Sequence, residues 1–369
     1  MKELKVLHLA SFNGNIGDNA NHYGFYKYLN KINTYNFNIE ELEIREFFWK
    51  KRFFDDNFIK LVNTYDLLII GGGNYFELWV EGSPTGTSIA IELEKLNEIK
   101  IPILFNALGV DPGQGATKNC INRFTNFLDL LIERNDYISI RNDGAKKAII
   151  DYIGEKYLHS IQYTPDAGFF IDTKNATDYY NSKEYIAINI ATDMDNIRFS
   201  NLSYDEFLVT FKRFIIKFIK EYDNFEIIFV PHIFRDMSFI NDILNILDDD
   251  IRRTKISVAP LLHGKESFNE VMSIYKGAKF VLANRFHANV CSIGLGIPTI
   301  GLINYRQIEE LYNELESNNF IDIRIKDFDI ELLNKINKYD YNNQLLEILE
   351  SQYLDNMQHI EKWLGSKFS

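Results

Sequence analysis

Cysteine is scarce in this 369-residue chain. Its two residues, Cys120 and Cys291, fit neither a disulfide framework nor a metal-ligand motif. Positive charge is also short: Lys and Arg total 40 against 52 Asp and Glu, for a formal net charge of −12. Affinity for a phosphate backbone needs a positive field, so nucleic acid is not an expected partner, though a local basic pocket is compatible with the total. Apolar runs are short throughout. None approaches the ~18 residues of a membrane span. The opening MKELKVLHLA has too short an apolar stretch for a secretory signal. A cytoplasmic protein is expected, with binding at the inner face of the membrane left open.

What is present is the composition of a globular protein, 46% hydrophobic and 25% charged, long enough for two domains with separate cores. Strand-like runs alternate with helical patterns from end to end, which predicts parallel α/β architecture. In the first half the strands are Lys5–Ala10, Asp66–Ile70, Ile101–Leu108 and Tyr137–Ile140. A polar stretch, Ile171–Lys183, reads as a linker. The pattern then restarts with strands at Tyr185–Ile190, Glu226–Val230, Lys255–Val258, Lys279–Ala283 and Thr299–Ile303. The expected division is residues 1–173, 184–325 and a helical tail, 326–369, whose amphipathic helix can cross back onto the first domain.

Several strand ends carry chemistry-bearing residues. After the first strand, SFNGNIGDNA forms a tight loop with Asn13, Gly14, Asn15 and Asp18. Its amides can cradle a ligand, or the glycines simply serve a tight turn. Gly71-Gly72-Gly73-Asn74 closes another strand and permits close approach of a ligand or of backbone. Tyr75–Gly86 reads as a loop over the site edge. Arg141 ends the Tyr137–Ile140 strand, and Asp166 lies in Thr164-Pro165-Asp166-Ala167. In the second half His232 ends a strand, and Arg306 follows Asn304-Tyr305. Phe47–Phe58, FFWKKRFFDDNF, mixes rings with cations. A lipid surface would use both, but a core-facing aromatic stripe with solvated charges is the expected reading.

The most pointed stretch is ANRFHANVCSIGLGIPTIGL, 283–302. Arg285 and His287 follow a strand and open a helix. Parallel sheets bind ligands at that edge, and a helix N-terminus there favours an anion. Arg supplies a planar fork for carboxylate or phosphate, and His a proton near neutral pH. The plain alternative is an ion pair for Arg285 and packing for His287.

Taken together, NGNIGDNA (13–20), GGGNYFE (71–77), LGVDPG (108–113), ISIRNDGA (138–145), TPDAGF (164–169), PH…D (231–236) and NRFHANVCSIGLGIPTIGL (284–302) resemble the polysaccharide pyruvyl transferase family. The resemblance implies two Rossmann-like domains in a GT-B-like arrangement, with the site in the cleft. It implies transfer of pyruvate from phosphoenolpyruvate, as co-substrate, to two hydroxyls of a sugar acceptor, free or lipid-linked. By position, Arg141, Arg285 and His287 match the residues expected to act on phosphoenolpyruvate, with Arg306 where relatives often carry Lys or Arg. His232, Asn13, Gly14, Asn15, Asp18, Gly72, Gly73, Asn74 and Asp166 are candidate substrate-binding residues, and Tyr75, Phe76 and Trp79 candidates for stacking on the sugar. Asp18, Asp111 and Asp166 are candidates for the base. No cofactor or metal is required by the chemistry. A nucleotide-sugar glycosyltransferase is the alternative enzyme, and a non-catalytic sugar- or anion-binding protein the alternative class.

Overall fold

The computed structural model describes residues 2–175 and 177–368. Met1, Ala176 and Ser369 lie outside the described residues, Ala176 falling within the expected linker. The chain forms two compact units: residues 1–14, 21–167 and 347–369, and residues 15–20 with 168–346. This division differs from the expected one. The first unit gives up residues 15–20, and no boundary falls at 326. The helix Phe328–Asn337 belongs to the second unit, where Phe328, Leu332 and Ile336 enter the core beside Phe207 and Phe211.

The first unit is built on β1 (Lys2–Ala10), β2 (Tyr35–Glu43), β3 (Leu67–Gly71), β5 (Ile103–Leu108), β7 (Tyr137–Arg141) and β8 (Gln162–Thr164), in the order β2-β1-β3-β5-β7-β8. Every ladder is parallel. β3, β5 and β7 are buried along their whole length, which is why they read as continuous apolar runs. A two-stranded pair, β4 (Phe76–Glu77) with β6 (Val110–Asp111), lies in what the sequence presents as a site-edge loop. Its anchor is Phe76, wholly buried among Phe105, Phe124 and Phe127.

The terminal helix, Leu345–Phe368, does cross back onto the first unit. Leu349, Tyr353, Met357, Ile360 and Leu364 recur at helical spacing and are buried. Polar ties fix its register: Tyr137 Oη donates to Asn356 Oδ1 at 2.7 Å, and Trp363 Nε1 donates to the Asn135 carbonyl at 3.0 Å.

The second unit carries β9 (Tyr185–Asn189), β10 (Glu226–Phe229), β11 (Ile256–Val258), β12 (Phe280–Ala283), β13 (Thr299–Ile303) and β14 (Phe320–Asp322), ordered β11-β10-β9-β12-β13-β14. Numbered within the unit this is 3-2-1-4-5-6, the doubly wound Rossmann order, and again every ladder is parallel. The strand order reverses between β9 and β12. Ligands of such sheets bind beyond the carboxyl ends of the strands at that reversal.

Candidate functional site

The reversal in the second unit is where Arg285 stands. Arg285 is the N-cap residue of the helix Phe286–Gly294, directly after β12. Its backbone N–H donates to Asn189 Oδ1, at the end of β9, at 3.0 Å. Its side chain is held by two carboxylates. Nε donates to Asp236 Oδ2 at 2.9 Å, and Nη2 donates to Asp193 Oδ1 at 3.0 Å and also to Asp236. Burial alone would lower the Arg285 pKa, but Asp236 and Asp193 outweigh it and raise it further. Asp193 is held below the usual carboxylate range, because Arg285 and Arg198 overcome its own burial.

Arg198 carries no signal in the sequence, since it sits in a polar connection after β9 with no motif around it. The fold buries it. Its Nη1 donates to Asn304 Oδ1 at 2.7 Å, and its guanidinium lies 5.1 Å from the Tyr305 ring centroid. Burial pulls its pKa down to about 10 against the opposing pull of Asp193. The group is therefore a compensated network of two arginines and two aspartates, and the ion pair that the sequence left open for Arg285 is present.

His287 lies one residue into the same helix and is buried. The first turn of the helix Ile16–Leu29, at the end of the Asn13–Asn15 loop, packs against it. Asp18 Oδ1 is 3.7 Å from His287 Nδ1. The loop is shaped by Asn15, whose Oδ1 accepts from the Gly17 N–H at 3.0 Å. Gly17 is required by contact: a Cβ there would stand 2.2 Å from His287 Cβ. Asn15 and Asp18 thus belong with His287, while Asn13 and Gly14 belong to the first unit. There the Asn13 N–H donates to Glu43 Oε2 at 2.6 Å, and a Cβ on Gly14 would meet Arg45 Nε at 2.3 Å.

His232 is wholly buried beside this network, and its backbone N–H donates to Asp236 Oδ2 at 2.8 Å. Its Nε2 is 2.8 Å from Tyr275 Oη. Nδ1 has no hydrogen-bond partner among the described residues. The tautomer follows from counting satisfied groups. If the phenol donates to Nε2, only the Nδ1–H is left over. If Nε2–H donates to the phenol, both the phenolic proton and the Nδ1 lone pair are left over. Each buried polar group left unpaired costs about 1–3 kcal/mol, which favours the first arrangement. The ring is neutral: burial first, then the Arg285 and His287 charges, lower its pKa to about 3.

In the first unit Arg141 ends β7. Its Nε donates to Asp143 Oδ2 at 2.8 Å and its Nη1 to Asp166 Oδ2 at 3.1 Å, all three side chains being buried. Asp166 is further fixed by its N–H donating to Asn142 Oδ1. Gly72 takes a φ of +79°, where a Cβ would meet His22 and Asn21, and a Cβ on Gly73 would meet the Tyr75 ring. Packing therefore requires both glycines. Asn74 Nδ2 donates to Asp111 Oδ2 at 3.2 Å. Asp111 is the register partner of Glu77 across β4 and β6. Glu77, half-buried, is pushed up to about 8, by burial first and by the Asp111 charge second. The sequence reading passes over it because the stretch looks like loop.

One expectation is corrected. Phe76 and Tyr75 are core residues, Tyr75 Oη accepting from the Ser11 N–H at 2.9 Å, so of the three stacking candidates only Trp79 keeps partial exposure. Arg306 opens the helix Arg306–Glu314 after β13, and its Nη2 lies 4.0 Å from Glu310 Oε1.

A model of the family described as polysaccharide pyruvyl transferase matches residues 15–306, most of the chain. The protein belongs to the polysaccharide pyruvyl transferase family. That makes it a transferase of polysaccharide biosynthesis. None of the curated protein sequences compared matches it. Among solved structures it is similar to a putative UDP-N-acetylglucosamine 2-epimerase from Listeria monocytogenes (TM-score 0.58, 12% identity, covering 94% of this chain and 90% of that one). It is also similar to the S. aureus MnaA–UDP complex (TM-score 0.56, 12% identity, 99% and 97% covered) and to the UDP-GlcNAc 2-epimerase from Methanocaldococcus jannaschii (TM-score 0.56, 14% identity, 92% and 95%). At such identities the likeness shows the fold alone: a pyruvyl transferase family member built on two Rossmann-like sheets of the GT-B kind.

Proposed function

We propose that this protein moves pyruvate from phosphoenolpyruvate to two hydroxyls of a sugar in a surface polysaccharide or its lipid-linked precursor, forming a cyclic ketal. The observation that carries the reading is the Asp18–His287 pair beside Arg285, at the β9/β12 reversal of a chain matched by the family model.

The donor is an anion with a carboxylate and a phosphate. The first turn of the helix Phe286–Gly294 suits it, because Arg285 at the N-cap offers no acceptor to the helix's first amides. Arg285 has Nε and Nη2 committed to Asp236 and Asp193, so the guanidinium is locked in plane and Nη1 is the edge left for the ligand. The Nδ1–H of neutral His232 adds a donor that carries no charge of its own.

In the reaction a proton adds to the methylene carbon, and the resulting oxocarbenium carbon is attacked by the first sugar hydroxyl. The C–O bond to phosphate breaks, and the second hydroxyl closes the ring. The two hydroxyl protons balance the one given to carbon and the one leaving with phosphate. His287, oriented by Asp18, serves as the acid; such catalysis is worth about 10²–10⁴ in rate. Arg285 stabilises the departing phosphate.

The second reading is a nucleotide-sugar transferase. What favours it is the resemblance of the fold to enzymes whose structures hold UDP. The test is incubation with phosphoenolpyruvate and a panel of glycan acceptors, following phosphate release and the acid-labile mass added to the glycan. Phosphate release that requires acceptor and His287 supports pyruvyl transfer. Glycan extension with a nucleotide sugar, and indifference to phosphoenolpyruvate, overturns it.

A further inference from the structure

The stretch Phe47–Phe58 forms no single helix and no single inward stripe. The fold divides its rings between two faces. Phe47, Phe54 and Phe58 turn inward: Phe47 and Phe54 stack with centroids 4.3 Å apart, and Phe58 meets them edge-on at 5.4 and 5.1 Å. Phe48, Trp49 and Phe53 stay in solvent, at 82%, 46% and 59% exposure. Lys50, Lys51 and Arg52 stand between them, all exposed. The expectation of a core-facing stripe therefore holds for half of the rings and fails for the other half.

The turn is held by its backbone. Lys50 takes a φ of +58°, and the Lys51 and Arg52 N–H groups both donate to the Glu46 carbonyl, at 2.8 and 3.1 Å. The Trp49 N–H donates to the Arg45 carbonyl at 2.8 Å. Three large rings and three cations are thus displayed on fixed backbone. Lys51 Nζ lies 4.9 Å from the Trp49 ring centroid, and Arg52 pairs with Glu46. Lys50 and Lys51 have no carboxylate partner among the described residues. The acids that follow are already engaged: Asp55 caps the helix Asp56–Val62, and Asp56 pairs with Lys95.

Rings and cations at one turn match the two layers of an anionic bilayer. Phe and Trp settle at the boundary between head groups and acyl chains, and Lys and Arg meet the anionic head groups above it. The protein as a whole carries −12, whereas the six residues Phe48–Phe53 carry three cations and no acid, a local charge that complements such a surface. We propose that the turn Phe48–Phe53 docks the protein on a bilayer rich in anionic lipid. The proposal does not depend on the reaction proposed above, but it suits an acceptor that is lipid-linked.

The test is co-sedimentation of the full chain with phosphatidylglycerol-containing vesicles and with pure phosphatidylcholine vesicles, at low and high salt. Binding is expected to the anionic vesicles only and to fall with salt. A blue shift of tryptophan emission on binding should be lost in Trp49→Phe. Replacing Phe48, Trp49 and Phe53 together by Ser should lower the partition coefficient at least tenfold. Lys50→Gln with Lys51→Gln should lower it roughly 25-fold, about fivefold per cation. The changed side chains are exposed, so an unaltered melting temperature serves as the folding control. The proposal is overturned by failure to sediment with anionic vesicles, or by binding that both variants retain. It is equally overturned if the triple Ser variant only converts a soluble dimer to monomer, which would make the turn a protein interface. Each readout is independent of phosphoenolpyruvate, so a failed reaction and a failed membrane contact are distinguishable.

Discussion

Asp18 Oδ1 lies 3.7 Å from His287 Nδ1, although the two residues are far apart in the sequence. The contact depends on Gly17, whose missing side chain leaves room for the imidazole. Gly17→Ala should push the loop off His287 and cut turnover as severely as Asp18→Asn, roughly 10–100-fold, while His287→Ala costs about 10²–10⁴. Steady-state rates of the three variants check this. Full activity in Gly17→Ala would mean that the loop does not position the histidine.

Arg285 is a structural residue as well as the proposed phosphoenolpyruvate contact. Arg285→Ala leaves the buried Asp236 without its cation and Asp193 with Arg198 alone, at a cost of about 3–5 kcal/mol. Arg285→Lys should recover part of that stability but not phosphoenolpyruvate binding, because an ammonium cannot reproduce the planar fork. Denaturant unfolding beside ligand titration separates the two effects. An Arg285→Ala protein as stable as the parent would contradict the ion-pair network.

His232 titrates at about 3 when folded, against 6.5 unfolded. Between those values the unfolded chain takes up a proton that the folded chain refuses. Its contribution is therefore complete above pH 6.5 and is lost as pH falls toward 3. The slope is at most about 1.4 kcal/mol for each step of one in pH. His8, also buried and held well below its ordinary value, acts in the same direction. The stability–pH curve of His232→Gln should be flatter over that window than the parent curve, with His8 supplying the remainder. Parallel curves would show that the ring is not buried and neutral.

Glu77 has the opposite sign. Its folded pKa of about 8 lies above the ordinary value of 4.5, so the folded state holds a proton that the unfolded state releases. Stability falls as pH rises between those values. Glu77→Gln should leave stability unchanged near pH 4 and raise it at pH 9 by up to a few kcal/mol, since a tenfold difference in acidity between the folded and unfolded states is worth about 1.4 kcal/mol. Thermal melts at the two pH values decide it. An equal effect at both would mean that Glu77 ionises normally.

Both sheets were legible in the sequence because their central strands are buried on two faces and read as unbroken apolar runs. β2, β8 and β14 were not. All three are edge strands, short or partly polar; Tyr35–Glu43 does carry the apolar–polar alternation of a half-buried strand, a signal that the apolar-run criterion passes over. Likewise β4 hides in a stretch whose core residue, Phe76, is flanked by turn formers. Arg285, His287 and Arg141 stood out because each ends or closely follows an apolar strand. Of their carboxylate partners, Asp18 and Asp166 were named and Asp143 and Asp236 fell inside quoted motifs, but Asp193, in a polar connection, carried no signal, and only the fold shows which carboxylate meets which side chain. Arg198 was invisible for the same reason.

The most direct test of the central claim is the melting temperature of the pure protein with phosphoenolpyruvate, beside UDP and GDP. A ligand at about 100 times its dissociation constant stabilises by about 2.7 kcal/mol. The account predicts a rise with phosphoenolpyruvate that is lost in Arg285→Lys and absent with either nucleotide. A rise with UDP or GDP and none with phosphoenolpyruvate would contradict it.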